Sequence, residues 1–307
     1  MPARPPTAAP PGQLVDAVRA VLAGEDLPDV AARSGLKAAD LQAAVGVYHD
    51  GGKAALQALS ASTWYSVRIT FAGRGQEENL MATVVGPALD TLRAGSKPIG
   101  WWFARGYPAW SIYLRNPDPA TVRRILRPLA RGRALATTQP EIHQPDPRPF
   151  GGLTGTAIAH NLFCADSARL LAHLRQAQPR DRLTLSALLL NALLTAAGLS
   201  WPARGDLYSK VSTTRPAADA TAARRLGAEL LAALTAETDD QDPAVPWIRA
   251  FATAGGRLAE AAAKGLLTAT LTDVLAAVVD AHWDRLGLTV TDQATLARAA
   301  IRVYLPS

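Results

Sequence analysis

The sequence has one cysteine, Cys164, in 307 residues, which leaves no partner for an internal disulfide and no thiolate set for a zinc or iron–sulfur site. Histidine is scarce as well. His49, His143, His160, His173 and His282 are scattered without metal-ligand spacing, so no metal is expected. No stretch reaches the roughly 20 uninterrupted apolar residues that span a bilayer. Met1 to Gly12 is rich in Pro and Ala and lacks the apolar core of a signal peptide, so the protein is expected in the cytoplasm, away from membranes. The strong short motifs are missing too: no phosphate-cradling glycine loop, no nucleotide fingerprint, no HExxH and no GxSxG.

What is present suits a globular protein of one large domain, or a domain with a smaller appendage: 49% of the residues are hydrophobic and 19% charged. The formal charge of +6 favours an anionic partner. The basic residues are dispersed apart from a local run of Arg123, Arg124, Arg127, Arg131 and Arg133, so nucleic acid is not expected, and an acidic peptide satisfies the same field.

From Gln13 to about Leu59 apolar residues recur at helical spacing, first Leu14, Val15, Val18, Val21 and Leu22, then Val30, Leu36, Leu41, Val45 and Tyr48. Gly24 and Pro28 break the first helix, Ser34-Gly35 makes a turn, and Gly51-Gly52 is expected to end this small helical unit. Ala38 to Val47 carries Asp40 and no Arg, so the unit reads as packing and not as a DNA-reading motif. A strand is predicted from Thr63 through Phe71, a helix over Glu78 to Ala94, strands over Ile99 to Phe103 and Trp110 to Arg115, and a helix over Ala120 to Leu129. The prolines between Gln139 and Pro149 predict a loop dividing the chain. Beyond it helices are predicted over Gly155 to Leu174, Leu183 to Ala197, Ala217 to Ala236, Trp247 to Lys264, Leu271 to Asp284 and Gln293 to Val303. The expectation is an α+β fold with a small N-terminal helical unit, an antiparallel sheet with helices and a mainly helical C-terminal half.

Three places could carry chemistry. His160, Cys164 and Ser167 fall on one helical stripe, although a lone cysteine is more often buried and inert. The few aromatics, 6% of the chain, concentrate in Trp64-Tyr65, Trp101-Trp102-Phe103, Tyr107, Trp110 and Tyr113. In a strand one Trp of the Trp101-Trp102 pair points to the core and the other to the opposite face, which is either further core or a groove floor with Arg105 and Arg115 supplying charge. Finally, Asp280-Ala281-His282-Trp283-Asp284-Arg285 ends a helix, with Asp280 and Asp284 on one face and His282 looking elsewhere. Helix capping competes with a functional role there. Gly151-Gly152 and Gly155 read as a turn before a helix in preference to an anion site.

Taken in order, several pieces resemble the thiopeptide-type bacteriocin biosynthesis family, which includes thiopeptide pyridine synthases and the elimination domain of class I lanthipeptide dehydratases. They are Tyr48 with Gly51-Gly52, Trp64-Tyr65, Trp101-Trp102-Phe103-Ala104-Arg105 with Pro108 and Trp110, and Phe150-Gly151-Gly152. Ala159-His160 through Asp166-Ser167, Gly198-Leu199 with Trp201 and Gly205-Asp206, and His282 through Leu288 complete the series. The resemblance implies an eliminase-like domain over residues 61–307 behind a helical extension over 1–60. It implies a ribosomal precursor peptide with an acidic leader as partner, partner biosynthetic enzymes, and no metal or organic cofactor.

Within the family, glutamate elimination is understood to use arginines in the strand pair and a histidine a turn before an Asn-Arg. Here Ser111 and Tyr113 stand where basic residues are expected, Asp280 takes the histidine's approximate place and Asp284 replaces the Asn. Added carboxylates disfavour a site that must hold a leaving glutamate. The resemblance therefore points to a pyridine synthase joining two dehydroalanines by formal aza-cycloaddition, with a glutamyl eliminase or a non-catalytic peptide-binding scaffold as alternatives. Proton transfer is expected of Asp284, Asp280, His282 and Tyr65, and because Asp280 and Asp284 lie one turn apart, one acid of the pair is expected to be held protonated by its neighbour. Substrate binding falls to Trp283, Arg285, Trp102, Arg105, Arg115, Tyr113, Asp166 and Ser167.

Overall fold

The structure, a computed structural model, describes residues 11–61, 64–72, 75–95, 97–131, 135–141, 146–236 and 241–305, and the chain divides into two compact units after Leu59. His143 and Arg133 lie outside the described residues. The N-terminal unit holds α1 (Pro11–Leu22), α2 (Leu27–Arg33) and α3 (Ala38–Ala61) around a small core of Ala17, Val18, Val30, Ala31, Leu41 and Val45. Asp26 caps α2 by accepting from Asp29 N, and Gly24 and Gly35 take the left-handed turns that let the chain reverse. Gly51-Gly52 does not end the unit, because α3 continues through both glycines.

The second unit opens with β1 (Trp64–Phe71), followed by α4 (Glu77–Leu80), a π turn (Met81–Val85) and α5 (Gly86–Ala94). Then come β2 (Trp101–Ala104), β3 (Trp110–Arg115), α6 (Pro119–Arg131) and β4 (Leu135–Glu141). The sheet order is β2-β3-β1-β4 with antiparallel neighbours throughout, so the segment has the β-α-β-β-α-β arrangement of a ferredoxin-like unit. β4 corrects the sequence reading, which began a loop at Gln139. Pro140 sits in the sheet's last strand, where only one side needs ladder bonds.

Register and pleat sort the side chains. Trp101 lies opposite Leu114, Phe103 opposite Ile112, and Ile112 opposite Val67, which puts these residues with Tyr65, Ile69 and Trp110 on one face. Trp102, Tyr113 and Ser66 form a row on the other, beside Trp64 and Arg115.

α7 (Gly152–Leu174), α8 (Arg182–Ala196), α9 (Trp201–Ser212), α10 (Ala220–Thr235), α11 (Val245–Ala263), α12 (Leu271–Leu286) and α13 (Val290–Tyr304) complete the unit. α9 has no counterpart in the sequence reading; Ser200 caps it and Pro202 occupies its first turn. α7 lies along β2 and reaches onto the sheet face that carries Trp64 and Trp102. Near its start His160 and Phe163 meet Trp64 and Trp102, while toward its end Leu171 and Arg175 meet Gly86 and Ala82 of the helical segment between β1 and β2. One continuous apolar core joins the sheet to these helices.

Candidate active site

The site is built where α12 ends against α7 and β2. Thr270 caps α12 at its start, and Gly287 closes it with φ of 76°, a left-handed position that glycine accepts without strain. On the buried side of α12, His282 and Arg285 are one turn apart and both face Asp166 of α7. His282 Nδ1 lies 3.0 Å from Asp166 Oδ2, Arg285 Nη1 donates to the same oxygen at 2.9 Å, and Trp247 Nε1 donates to Oδ1 at 3.0 Å. Asp166 is 1% exposed. Burial alone would raise its pKa, but the charges and hydrogen bonds of His282 and Arg285 outweigh it and hold the carboxyl below its ordinary value. Burial lowers the Arg285 pKa, with Asp166 opposing. A buried carboxylate of this kind is tolerated because every one of its bonds comes from a donor of the surrounding helices.

This network also finishes the sheet. Phe103 of β2 donates its N–H to Ser167 Oγ at 3.2 Å and accepts from Arg285 Nε at 3.3 Å, so both of its main-chain groups are satisfied by side chains from α7 and α12. Arg105, just past β2, donates from Nε to the Arg285 carbonyl at 2.7 Å, lies 4.6 Å over the Trp110 ring and pairs with Glu78. Arg182 shares that carboxylate at 2.6 Å and donates to the Leu286 carbonyl at 3.1 Å. Burial would raise the Glu78 pKa, and the two arginines pull it below its usual value.

A cleft of about 340 Å³ opens here, with Trp102, Arg105, Phe150, His160, Phe163 and Arg285 among its walls and Asp284 at its margin. The Arg285 guanidinium sits 4.1 Å over the Phe163 ring, and Tyr113 stacks on the far side of the wall against Trp102 at 3.9 Å between centroids. Phe150 is held by the turn that starts α7. A Cβ on Gly155 would lie 1.7 Å from the Phe150 carbonyl oxygen, so this close approach requires glycine.

Asp284 and Asp280 point away from the core of α12, as their spacing predicts. Asp284 is exposed and accepts from Gln293 at 3.1 Å, whereas Asp280 pairs with Arg215 at 2.6 Å. The Asp280 pKa is raised chiefly by burial, with the Asp284 charge as a smaller cause and Arg215 working against both.

Of the residues singled out in the sequence, Asp284, Arg285, Trp102 and Arg105 meet at the cleft, with Asp166 and Ser167 directly beneath it. Others do not. Trp283 is wholly buried, donates to Ser186 and packs on Tyr208, so it walls no peptide. His282 is 1% exposed and faces Asp166, and Tyr65 lies on the sheet face opposite Trp102. Arg115 reaches Asn161 at 2.6 Å and the Trp64 ring, behind the aromatic wall, and α7 packs against Trp102 from that same face. The Cys164 thiol is pushed up to about 11 by burial and so is a poor nucleophile. Glu78, Phe150, Arg182, Arg215 and Gln293 were absent from the sequence-based site, and His160 was singled out beside Cys164 but given no role in it. His160 and Phe150 stand in recognisable segments, but the others are joined to the site only by folding.

Residues 64–304 match the family described as lantibiotic biosynthesis dehydratase C-term. The chain belongs to this family. Among solved structures, this dehydratase C-terminal family member is similar in fold to the tRNA dependent lantibiotic dehydratase MibB from Microbispora sp. 107891, at 18% identity and a TM-score of 0.55. That match covers 80% of this chain, which spans only 28% of MibB. The pyridine synthase TbtD from thiomuracin biosynthesis is similar at 18% identity and a TM-score of 0.57, over 78% of this chain and 97% of TbtD. No curated protein sequence matches the chain. Among the described residues, no helix of this family member is long and apolar enough to cross a membrane.

Proposed function

We propose that the chain is a pyridine synthase that acts on a leader-bearing ribosomal peptide carrying two dehydroalanines. One observation carries this reading: both guanidinium groups lining the cleft are tied to carboxylates, Arg105 to Glu78 and Arg285 to Asp166, while of the two exposed acids that line it Asp146 is paired with Arg148 and the Asp284 carboxylate accepts, among the described residues, only from the neutral Gln293 amide. A site that expels glutamate needs uncommitted positive charge for the departing carboxylate, and this arrangement supplies a negative one. A site for cycloaddition needs proximity and a proton-transferring group at an amide.

In this reaction the amide before one dehydroalanine takes its imidic acid tautomer and, with that residue's Cα=Cβ bond, forms the azadiene. The second dehydroalanine adds across it, closing a six-membered nitrogen ring and the macrocycle. Water and the leader peptide then leave as the ring becomes aromatic. The aromatic wall of Trp102, Phe150 and Phe163 holds the two reacting units together, and Asp284 moves the proton at the amide. Arg105 and Arg285 shape the wall from fixed positions.

The test is to incubate the purified protein with a dehydroalanine peptide on its leader, and separately with a glutamylated peptide, and to weigh the products. The expected outcome is a macrocycle with free leader from the first and no change in the second. Release of glutamate from the second, with the first untouched, would replace this reading by a glutamyl eliminase. Binding of both without turnover would make the chain a scaffold.

A further inference from the structure

Asp284 is not held in place by the cleft alone. Behind it lies Gln293 of α13, 7% exposed, and behind Gln293 lies Arg215, whose side chain is also 7% exposed. Arg215 donates to Gln293 Oε1 from Nε at 3.1 Å and from Nη2 at 2.9 Å. Gln293 Nε2 in turn donates to Asp284 Oδ1 and to the Leu288 carbonyl, each at 3.1 Å. The surroundings fix the orientation of this amide. Its oxygen meets only a donor and its nitrogen meets only acceptors, so the flipped amide would lose every one of these bonds.

Arg215 is anchored in its own right. Nη1 donates to the Val211 carbonyl at 2.5 Å, Nη2 donates to Asp280 at 2.6 Å, and the guanidinium lies 4.9 Å over the Trp283 ring. Asp280 and Asp284 of α12 therefore have different tasks. Asp280 neutralises Arg215, and Arg215 aims Gln293 at Asp284.

We propose that Gln293 and Arg215 are positioning residues that hold the Asp284 carboxylate in one orientation toward the cleft, with Asp280 as the counter-charge of Arg215. The proposal rests on the assignment of proton transfer to Asp284. Rotation of an exposed aspartate about χ1 would carry its oxygens away from the reacting amide, and misplacement of about 1 Å costs on the order of a hundredfold in rate. A carboxylate with one oxygen pinned from behind keeps the other for the substrate.

Two measurements on the whole chain decide the matter. Without substrate, three-bond couplings at Asp284 report its χ1 distribution. The expected result is one dominant rotamer in the native protein and averaging in Gln293→Leu. An unchanged distribution overturns the proposal whether or not the protein proves to be a pyridine synthase.

With a dehydroalanine peptide, Gln293→Leu is expected to lower kcat by about tenfold to a hundredfold with KM held within about twofold. It should add little to the loss already caused by Asp284→Asn, because the two act through one carboxylate. Gln293→Glu is the second variant. It keeps the pairing with Arg215 and so preserves the packing, but turns an oxygen toward Asp284 and the Leu288 carbonyl. It should lose kcat like Gln293→Leu if the amide positions Asp284. Full activity in Gln293→Glu, or additive losses in the double variant, would assign these residues to structure alone.

Discussion

Trp247 and Arg285 grip the two oxygens of one buried carboxylate, Trp247 Nε1 at 3.0 Å from Asp166 Oδ1 and Arg285 Nη1 at 2.9 Å from Oδ2. Because Arg285 also closes the edge of β2 through the Phe103 carbonyl, removing the carboxylate loosens the sheet and the helices together. Asp166→Ala is expected to destabilise the fold by about 3–5 kcal/mol, since it leaves a guanidinium buried without its counter-charge. Urea unfolding monitored by tryptophan fluorescence measures this directly. A loss below about 1 kcal/mol would mean that water reaches Arg285.

The same carboxylate sets an acid limit. Its pKa in the fold lies below that of the unfolded chain, about 3.9. Its contribution is therefore complete above that value and is lost as pH falls through the lower native one. Asp166→Asn should be less stable near neutrality and should show a flatter decline of stability below about pH 4 than the native protein. Parallel curves for the two proteins in that range would assign the acid sensitivity to other carboxylates.

Cys164 is expected to be inert. With its thiol raised to about 11, only on the order of one molecule in a thousand carries thiolate at pH 8. Ellman's reagent should label the folded protein slowly and the urea-unfolded protein completely, and Cys164→Ala should turn over the peptide at the native rate. Rapid labelling of the folded protein would reopen a nucleophilic role.

Affinity for an acidic leader is expected to fall with salt, and the exposed arginines of α6 should carry much of that dependence. Arg123, Arg124, Arg127 and Arg131 are exposed while Val122 and Leu126 are buried beneath them. Reversing Arg123 and Arg127 to Glu together should weaken leader binding and flatten its salt dependence, with stability changed by about 0.5 kcal/mol or less. Isothermal titration at two ionic strengths measures both. A native salt slope in the double variant would exclude α6 from the contact. Arg105 is a poor choice for this experiment, because reversing it would set two carboxylates together at Glu78.

Gly255 tests the helical core. A Cβ there would lie 2.1 Å from the Leu193 carbonyl oxygen where α11 crosses α8, so Gly255→Ala should destabilise by about 3 kcal/mol despite alanine's better helix propensity. Gly256→Ala, whose added Cβ would meet its nearest neighbour at 3.9 Å, is the control.

Where the signal is local, the sequence and the structure agree. β1, β3 and most of the helices are legible because apolar periodicity is a property of neighbouring residues, and Trp102, Arg105, Asp284 and Arg285 stand in dense clusters. α9 was hidden by Trp201-Pro202 and Gly205, although Pro belongs naturally in a helix's first turn. β4 was hidden by Pro140, which an outer strand tolerates. The partners of the cluster residues were illegible for a different reason. Asp166 is 116 residues from His282, Arg215 is 78 from Gln293, and Glu78 is 104 from Arg182. No spacing rule acts over such separations, and the difference between a wall residue and a buried one at Trp283 depends on what α8 and α9 bring against it.

The π turn between α4 and α5 absorbs one residue of chain length that the regular helix beside it could not. Its wider coil accommodates one residue more than an α-helical turn, and Arg175 donates to the Ala82 carbonyl there at 3.1 Å. A single residue deleted within Met81–Val85 would be absorbed as the turn returned to regular winding, whereas one deleted from the regular turns of α5 would rotate everything before it by about 100°. Glu78 would then swing out of reach of Arg105 and Arg182, leaving two guanidinium groups unneutralised beside the cleft. A one-codon deletion in α5, at none of the cleft residues, would thereby make that side of the cleft more positive, a change that no single substitution on α5 would reproduce.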